Sequence, residues 1–221
     1  MQTGPLKEQL EGQEAAGSVR SASRKSFLAT VGGAGAATLL GACGSGKAGT
    51  RNPGQGSKPA LSPADLKIAN YALMLEYLEV AFYQQVLRSR KVKGPALDVV
   101  KTIADDENQH VETLESAIKK SGGTPVAKPK PNLPPLTGQS QILELASTFE
   151  NLGASAYLGQ GAMIKDKDFL ATALSIHSVE ARHASVINSI IGKDPVVGGS
   201  AFAKPATMPE VLMAVKPFIA S

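Results

Sequence analysis

A chain that places Glu-x-x-His twice, each time behind an upstream glutamate at nearly the same distance, has few ways to fold. The pairs are Glu107-Asn108-Gln109-His110 and Glu180-Ala181-Arg182-His183. Glu76 lies 31 positions before the first pair and Glu150 lies 30 before the second. A tyrosine follows each upstream glutamate by seven positions, Tyr83 and Tyr157. The same constellation is thus stated twice, at an offset of 73 or 74 residues. With 12 glutamates and three histidines in 221 residues, chance supplies about 0.16 Glu-x-x-His pairs, so two in register mark a repeat.

The residues around the repeat predict helices. Ser62-Pro63-Ala64-Asp65 is a helix start, with a capping serine, a proline in the first turn and an early acid. Ile68, Tyr71, Ala72, Leu75, Leu78, Ala81 and Phe82 then recur at helical spacing, and the run is expected to end near Lys93-Gly94-Pro95. Further helices are expected over about 95–120, 139–164 and 168–191, with a short one after Thr207 through Val215. Between the second and third, residues 122–138 hold five prolines and three glycines, which is a connection and not a helix. Four long amphipathic helices bury their apolar faces most simply as a bundle. The expected fold is all-α: a four-helix bundle with a long crossover between helices 2 and 3 and a short C-terminal helix. Gly153, Gly159 and Gly161 lower helix propensity in the third helix and leave room for a close neighbour.

In such a bundle the repeat builds a metal site. Residues i and i+3 share a helix face, so Glu107 can bridge two metals while His110 binds one, and Glu180 with His183 can do the same for the other. Glu76 and Glu150 each add a terminal carboxylate. Four carboxylates and two imidazoles offset most of the charge of two divalent ions. Mixed oxygen and nitrogen ligands suit iron or manganese, and zinc on affinity grounds. Glu79 competes with Glu76 for one face, but the repeat aligns Glu76 with Glu150 and Glu79 with Gly153, which selects Glu76. Tyr83 and Tyr157 are candidates to hydrogen-bond ligand carboxylates or carry electrons, or are core aromatics with a polar tip. Asp106 is a candidate to hold a ligating imidazole, or a solvated surface acid. His177 precedes Glu180 by three on the same face and is a candidate to support a ligand or to bind metal itself, or is a satisfied or partly exposed histidine. Its counterpart is Ala104, so the repeat does not support it as a ligand.

With these residues in hand, the chain resembles the ferritin-like domain family of exported bacterial proteins, in a subgroup that also contains desiccation-related proteins. The stretches that carry the likeness run from Ala69 to Tyr83, Asp106 to His110, Ala156 to Gly159, Val179 to His183 and Met208 to Ile219. The resemblance covers about 62–220 and implies a ferritin-like bundle able to hold two iron or manganese ions. It does not imply one reaction, since the fold serves many. Two classes of function stay open. One is redox chemistry with oxygen or peroxide at the metal pair, as a ferroxidase or catalase-like scavenger. The other is a non-catalytic stress or desiccation protein with structural or sequestered metal.

The N-terminal part reads differently. Phe27 to Leu40 is a 14-residue apolar run behind Arg24-Lys25, too short to span a bilayer but suited to a signal peptide. It ends in Leu40-Gly41-Ala42-Cys43, which resembles a bacterial lipobox and implies lipidation of Cys43. Ser23-Arg24-Lys25-Ser26-Phe27-Leu28 is similar to a twin-arginine export signal, with Lys25 where that family has its second arginine, which leaves folded and unfolded export both open. The expected organisation is an export segment over 1–42, a Gly/Pro/Ser tether over 43–61 and the helical domain over 62–221. The expected location is outside the cytoplasm, lipid-anchored on the outer side of the cytoplasmic membrane or in the cell envelope. Cys43 is the single cysteine, so no intrachain disulfide forms. Without residues 1–42 the chain keeps 19 basic and 16 acidic residues, a net charge of +3, and it has no tryptophan, so nucleic-acid binding has little support. The partners expected are a membrane, through Cys43, and a second copy in a homo-oligomer such as a dimer.

Overall fold

Ser62 opens the first helix as its sequence suggests: its hydroxyl accepts the Asp65 N–H at 3.0 Å. The structure, a computed structural model, describes residues 60–196 and 201–220. The export segment, nearly all of the tether and Cys43 lie outside the described residues. Four long helices follow in order: α1 Pro63–Ser89, α2 Pro95–Lys120, α3 Gln139–Gly161 and α4 Lys167–Ile190. A short α5, Met208–Val215, runs into a 3-10 turn over Lys216–Phe218. Among the described residues there is no strand, and the architecture is an all-α four-helix bundle. No described helix is long and apolar enough to cross a membrane.

Two helix ends differ from expectation for local reasons. α1 stops at Ser89, short of Lys93, because Arg90 turns left-handed (φ 55°) and its N–H closes on the Leu87 carbonyl. The Ser89 hydroxyl donates to the Val86 carbonyl, which further competes with helix continuation. α3 stops at Gly161, short of Ile164, where the Met163 N–H closes on the Gln160 carbonyl. Ile164 is still buried, so the apolar periodicity outlasts the helix.

α1 pairs with α2 and α3 with α4. Asp65, at the start of α1, accepts the backbone N–H groups of Lys165 and Asp166 at 2.9 and 3.2 Å, which ties the α3–α4 turn to that end of the bundle. The crossover runs the bundle's length. It begins beside Asn70, whose side chain accepts the Val126 N–H, and ends beside α2's start, where Lys91 bonds the Leu136 carbonyl. The C-terminal segment is clipped to it by an antiparallel bridge between Pro131 and Ile219. α5 lies over α1 and α3, with Val211 and Val215 buried against Tyr71, Leu75, Leu78 and Ala156.

The three glycines of α3 have separate fates. A Cβ on Gly159 would stand 1.8 Å from the Ala206 carbonyl oxygen, so this glycine lets the chain before α5 lie directly on α3. A Cβ on Gly153 would meet buried carboxylates, and one on Gly161 would meet nothing.

Candidate metal centre

The middle turns of the bundle enclose a set of buried charges. Glu76 (α1), Glu107 (α2), Glu150 (α3) and Glu180 (α4) are each fully shielded from solvent, and His110 and His183 are buried beside them. Each helix contributes because the repeat puts one glutamate, or a Glu-x-x-His pair, on its inward stripe. Ligand atoms of Glu76, Glu107, His110 and Glu180 all lie within 4.8 Å of one another, and so do those of Glu107, Glu150, Glu180 and His183. All six predicted ligands are therefore brought together in two overlapping groups, and Glu107 and Glu180 belong to both.

The contacts inside these groups are crowded with acceptors. His110 Nδ1 faces Glu107 Oε2 at 2.9 Å, Glu180 Oε1 at 3.1 Å and Glu76 Oε2 at 3.4 Å. His183 Nδ1 faces Glu107 Oε1 at 3.0 Å and Glu150 Oε2 at 3.1 Å. A ring nitrogen carries one proton at most and donates it in one direction. Glu76 Oε2, Glu107 Oε1 and both Glu180 oxygens are left buried without a hydrogen bond, although imidazole nitrogens stand near three of them. Orphaned buried carboxylate oxygens are costly. A cation between them satisfies several at once. Two ligand atoms about 2.1 Å from one metal at right angles are about 3.0 Å apart, close to the separations seen here. The donor set fits a pair of metal ions.

The electrostatics follow from that crowding. Burial alone would lower the His183 imidazole, but Glu107 and Glu150 overcome it and push it up to about 11. Burial would likewise lower His110, which Glu107, Glu180 and Glu76 drive far above the usual imidazole range. Burial pushes the Glu107 carboxyl up to about 7 against the opposing hydrogen bonds from His110 and His183. Burial and the neighbouring carboxylates hold Glu180 well above its ordinary range. Protons thus occupy this pocket when metal does not.

The tyrosines reach across the bundle. Tyr157 on α3 donates its hydroxyl to Glu76 Oε1 at 2.5 Å, and Tyr83 on α1 donates to Glu150 Oε1. Both phenols are pushed well above their ordinary range, first by burial, and stay protonated donors. Asp106 Oδ2 lies 3.3 Å from His183 Nε2, the far side of a ring whose Nδ1 faces the cluster. The contact crosses from α2 to α4, and Asp106 is about one-third exposed. His177 stays outside both groups, half-buried, with Nδ1 3.0 Å from the Ala154 carbonyl oxygen.

Glu79 also turns inward. It is 3% exposed, and burial followed by Glu180 raises it well above the ordinary carboxyl range, yet it belongs to neither four-residue group. The choice between Glu76 and Glu79 therefore has a fuller answer than the repeat suggested: Glu76 joins the cluster and Glu79 stands beside it. The mismatch of Glu79 with Gly153 was the sequence signal for this.

A family model described as a ferritin-like domain matches residues 64–193. No curated protein matches the chain. Among solved structures, a conserved hypothetical protein from Mycobacterium tuberculosis is similar at 18% identity and TM-score 0.53, over 62% of this chain and 96% of that one. A ferritin-like, diiron-carboxylate protein from Bacillus anthracis is similar at 20% identity and TM-score 0.50, over 57% and 94%. A hypothetical protein from Methanococcus jannaschii is similar at 12% identity and TM-score 0.52, over 74% and 98%. At these identities the likeness is one of fold.

Proposed function

This chain belongs to the ferritin-like domain family, and from that premise we propose that its buried cluster holds two iron or manganese ions that react with oxygen or peroxide. The observation that carries the reading is the surplus of buried acceptors: His110 Nδ1 faces three carboxylate oxygens, and a single proton serves only one of them. Glu76, Glu107, His110 and Glu180 would hold one ion, and Glu107, Glu150, Glu180 and His183 the other. When bound, such metals supply Lewis acidity and electrons for reduction of an oxidant.

The protein's own residues set the conditions for that chemistry. Tyr157 and Tyr83 donate to Glu76 and Glu150 and fix which oxygen of each turns toward the cluster. Asp106 fixes the His183 ring and favours the tautomer with its proton on Nε2, leaving Nδ1 free for a metal. The shielding of all four glutamates keeps bulk water from competing for the ligands. The lipid anchor at Cys43 and export to the cell envelope belong to the same proposal and rest on the N-terminal sequence alone.

Metal content of the purified chain tests the reading. About two iron or manganese ions per chain are expected, and they should be lost in a Glu107→Ala, Glu180→Ala double variant. A folded wild type that refuses reconstitution with either metal would sink the proposal. If the loaded protein is inert toward both oxygen and peroxide, the non-catalytic stress-protein reading replaces the redox one.

A further inference from the structure

Among the described residues two buried carboxylates lie outside the six-residue cluster: Asp65, which accepts two backbone N–H groups, and Glu79. Glu79 lies one turn after Glu76 on α1, and no hydrogen bond from a described residue reaches it. Its counterpart in the repeat is Gly153 on α3, across the bundle. An ideal Cβ on Gly153 would stand 3.1 Å from Glu79 Oε1 and 2.8 Å from Glu180 Oε2. The two carboxylates therefore flank the same notch, and the notch exists because position 153 has no side chain. Glu180 Oε2 is itself fully buried and without a partner. A void of about 10 Å³, walled by Leu75, Leu78, Leu152 and Val215, adjoins Glu79 and Gly153.

Two carboxylate oxygens bordering one gap are satisfied either by a shared proton or by a cation between them. The facing position on α3 is a glycine, which offers neither carboxylate a side-chain donor. We propose that Glu79 is a seventh metal-binding carboxylate of the centre, seated in the notch at Gly153 and sharing a cation with Glu180. This rests on the two-metal reading. It makes the two halves of the centre inequivalent, since one half gains a carboxylate and the other gives up the space for it.

Mn(II) titration by calorimetry of the full chain, wild type against Glu79→Gln, separates the possibilities. Glutamine keeps the size, removes the charge and offers an N–H to Glu180 Oε2. The expected result is at least about tenfold weaker binding of one Mn(II), the scale on which ligand-sphere changes act. The metal-free variant should melt at the same temperature as metal-free wild type or higher, because the amide carries no charge to bury and donates to Glu180. Gly153→Ala, which fills the notch, should weaken the same binding event, and the double variant should add little to either change. Unchanged Mn(II) affinity in Glu79→Gln overturns the proposal. So does a metal-free Glu79→Gln that melts lower or fails to fold, since that marks a structural carboxyl. A wild type that binds no Mn(II) defeats the two-metal reading itself, which distinguishes that failure from this one.

Discussion

Raising the pH should weaken the metal-free protein and leave the metal-loaded protein little changed. Glu107 has its carboxyl pushed up from 4.5 to about 7, and His183 has its imidazole pushed up from 6.5 to about 11. Both folded values lie above the unfolded ones, so each group favours the folded state when protonated. That stabilisation is fully present below the unfolded value and disappears as pH rises through the folded value. For Glu107 the loss falls between about pH 4.5 and 7, about 3 kcal/mol at 1.36 kcal/mol per unit. For His183 the loss starts near pH 6.5 and reaches about 2 kcal/mol by pH 8. His110 and Glu180 shift in the same direction and reinforce the trend. Glu107 and His183 touch, so the two losses overlap and do not add in full. Between pH 5 and 8 the metal-free domain should lose on the order of 3 kcal/mol, which for a domain of this size lowers Tm by about 5–10 °C. Metal binds the ionised carboxylates and neutral imidazoles, so its stabilisation grows with pH and should offset the loss. Calorimetric melts at pH 5, 6.5 and 8, with chelator and with saturating Mn(II), make the comparison. Glu107→Gln should flatten the lower part of the metal-free profile. A metal-free Tm that rises between pH 5 and 8 would refute the reasoning, because no raised carboxyl or imidazole produces that sign.

Other perturbations follow from single contacts. Asp106→Ala should weaken one of two metal-binding events by about 10–100-fold, read by calorimetry, because His183 loses its Nε2 partner; the ion on the His110 side should be little affected. Tyr157→Phe removes the hydrogen bond to Glu76 and should cost the metal-free protein about 1.5–3 kcal/mol in urea unfolding; an unchanged midpoint would show that the carboxylate finds another donor. Gly159→Ala drives a methyl into the Ala206 carbonyl, which cannot yield as a flexible side chain would, and should destabilise by about 1–3 kcal/mol while Mn(II) affinity holds.

The bundle was legible because apolar spacing and proline-glycine punctuation act locally, within single helices. The six-residue cluster was legible for a different reason. A duplicated pattern constrains three-dimensional placement, since equivalent positions on paired helices come to equivalent places about an approximate two-fold axis. What local signals left open depended on contacts between distant segments. Arg90 ends α1 through its own backbone angle, where Lys93-Gly94-Pro95 offered a stronger sequence signal. Ile164 is buried without being helical because Asp65 anchors the turn that follows it. Asp106 was ambiguous by position alone, and only the approach of α4 puts His183 Nε2 beside it.

Glu79 stands where the repeat breaks: Glu76 joins the cluster and Glu79 does not. Its alignment with Gly153 counted against it, on the view that a functional residue should recur in both halves. Near an approximate two-fold axis the opposite holds, because equivalent positions on the two halves converge on the same space and only one can carry a side chain. A glutamate facing a glycine is what such a place permits, and the 2.8 and 3.1 Å separations around Gly153 leave no room for more. The same asymmetry appears on the other pair of helices, where Asp106 meets His183 while the matching Val179 has no polar group to offer His110. A centre built by duplication thus has its departures from symmetry in the residues around the ligands, while the six ligands themselves stay matched. Two chemically distinct metal positions would follow from those departures, and stepwise metal uptake is the behaviour that would reveal them.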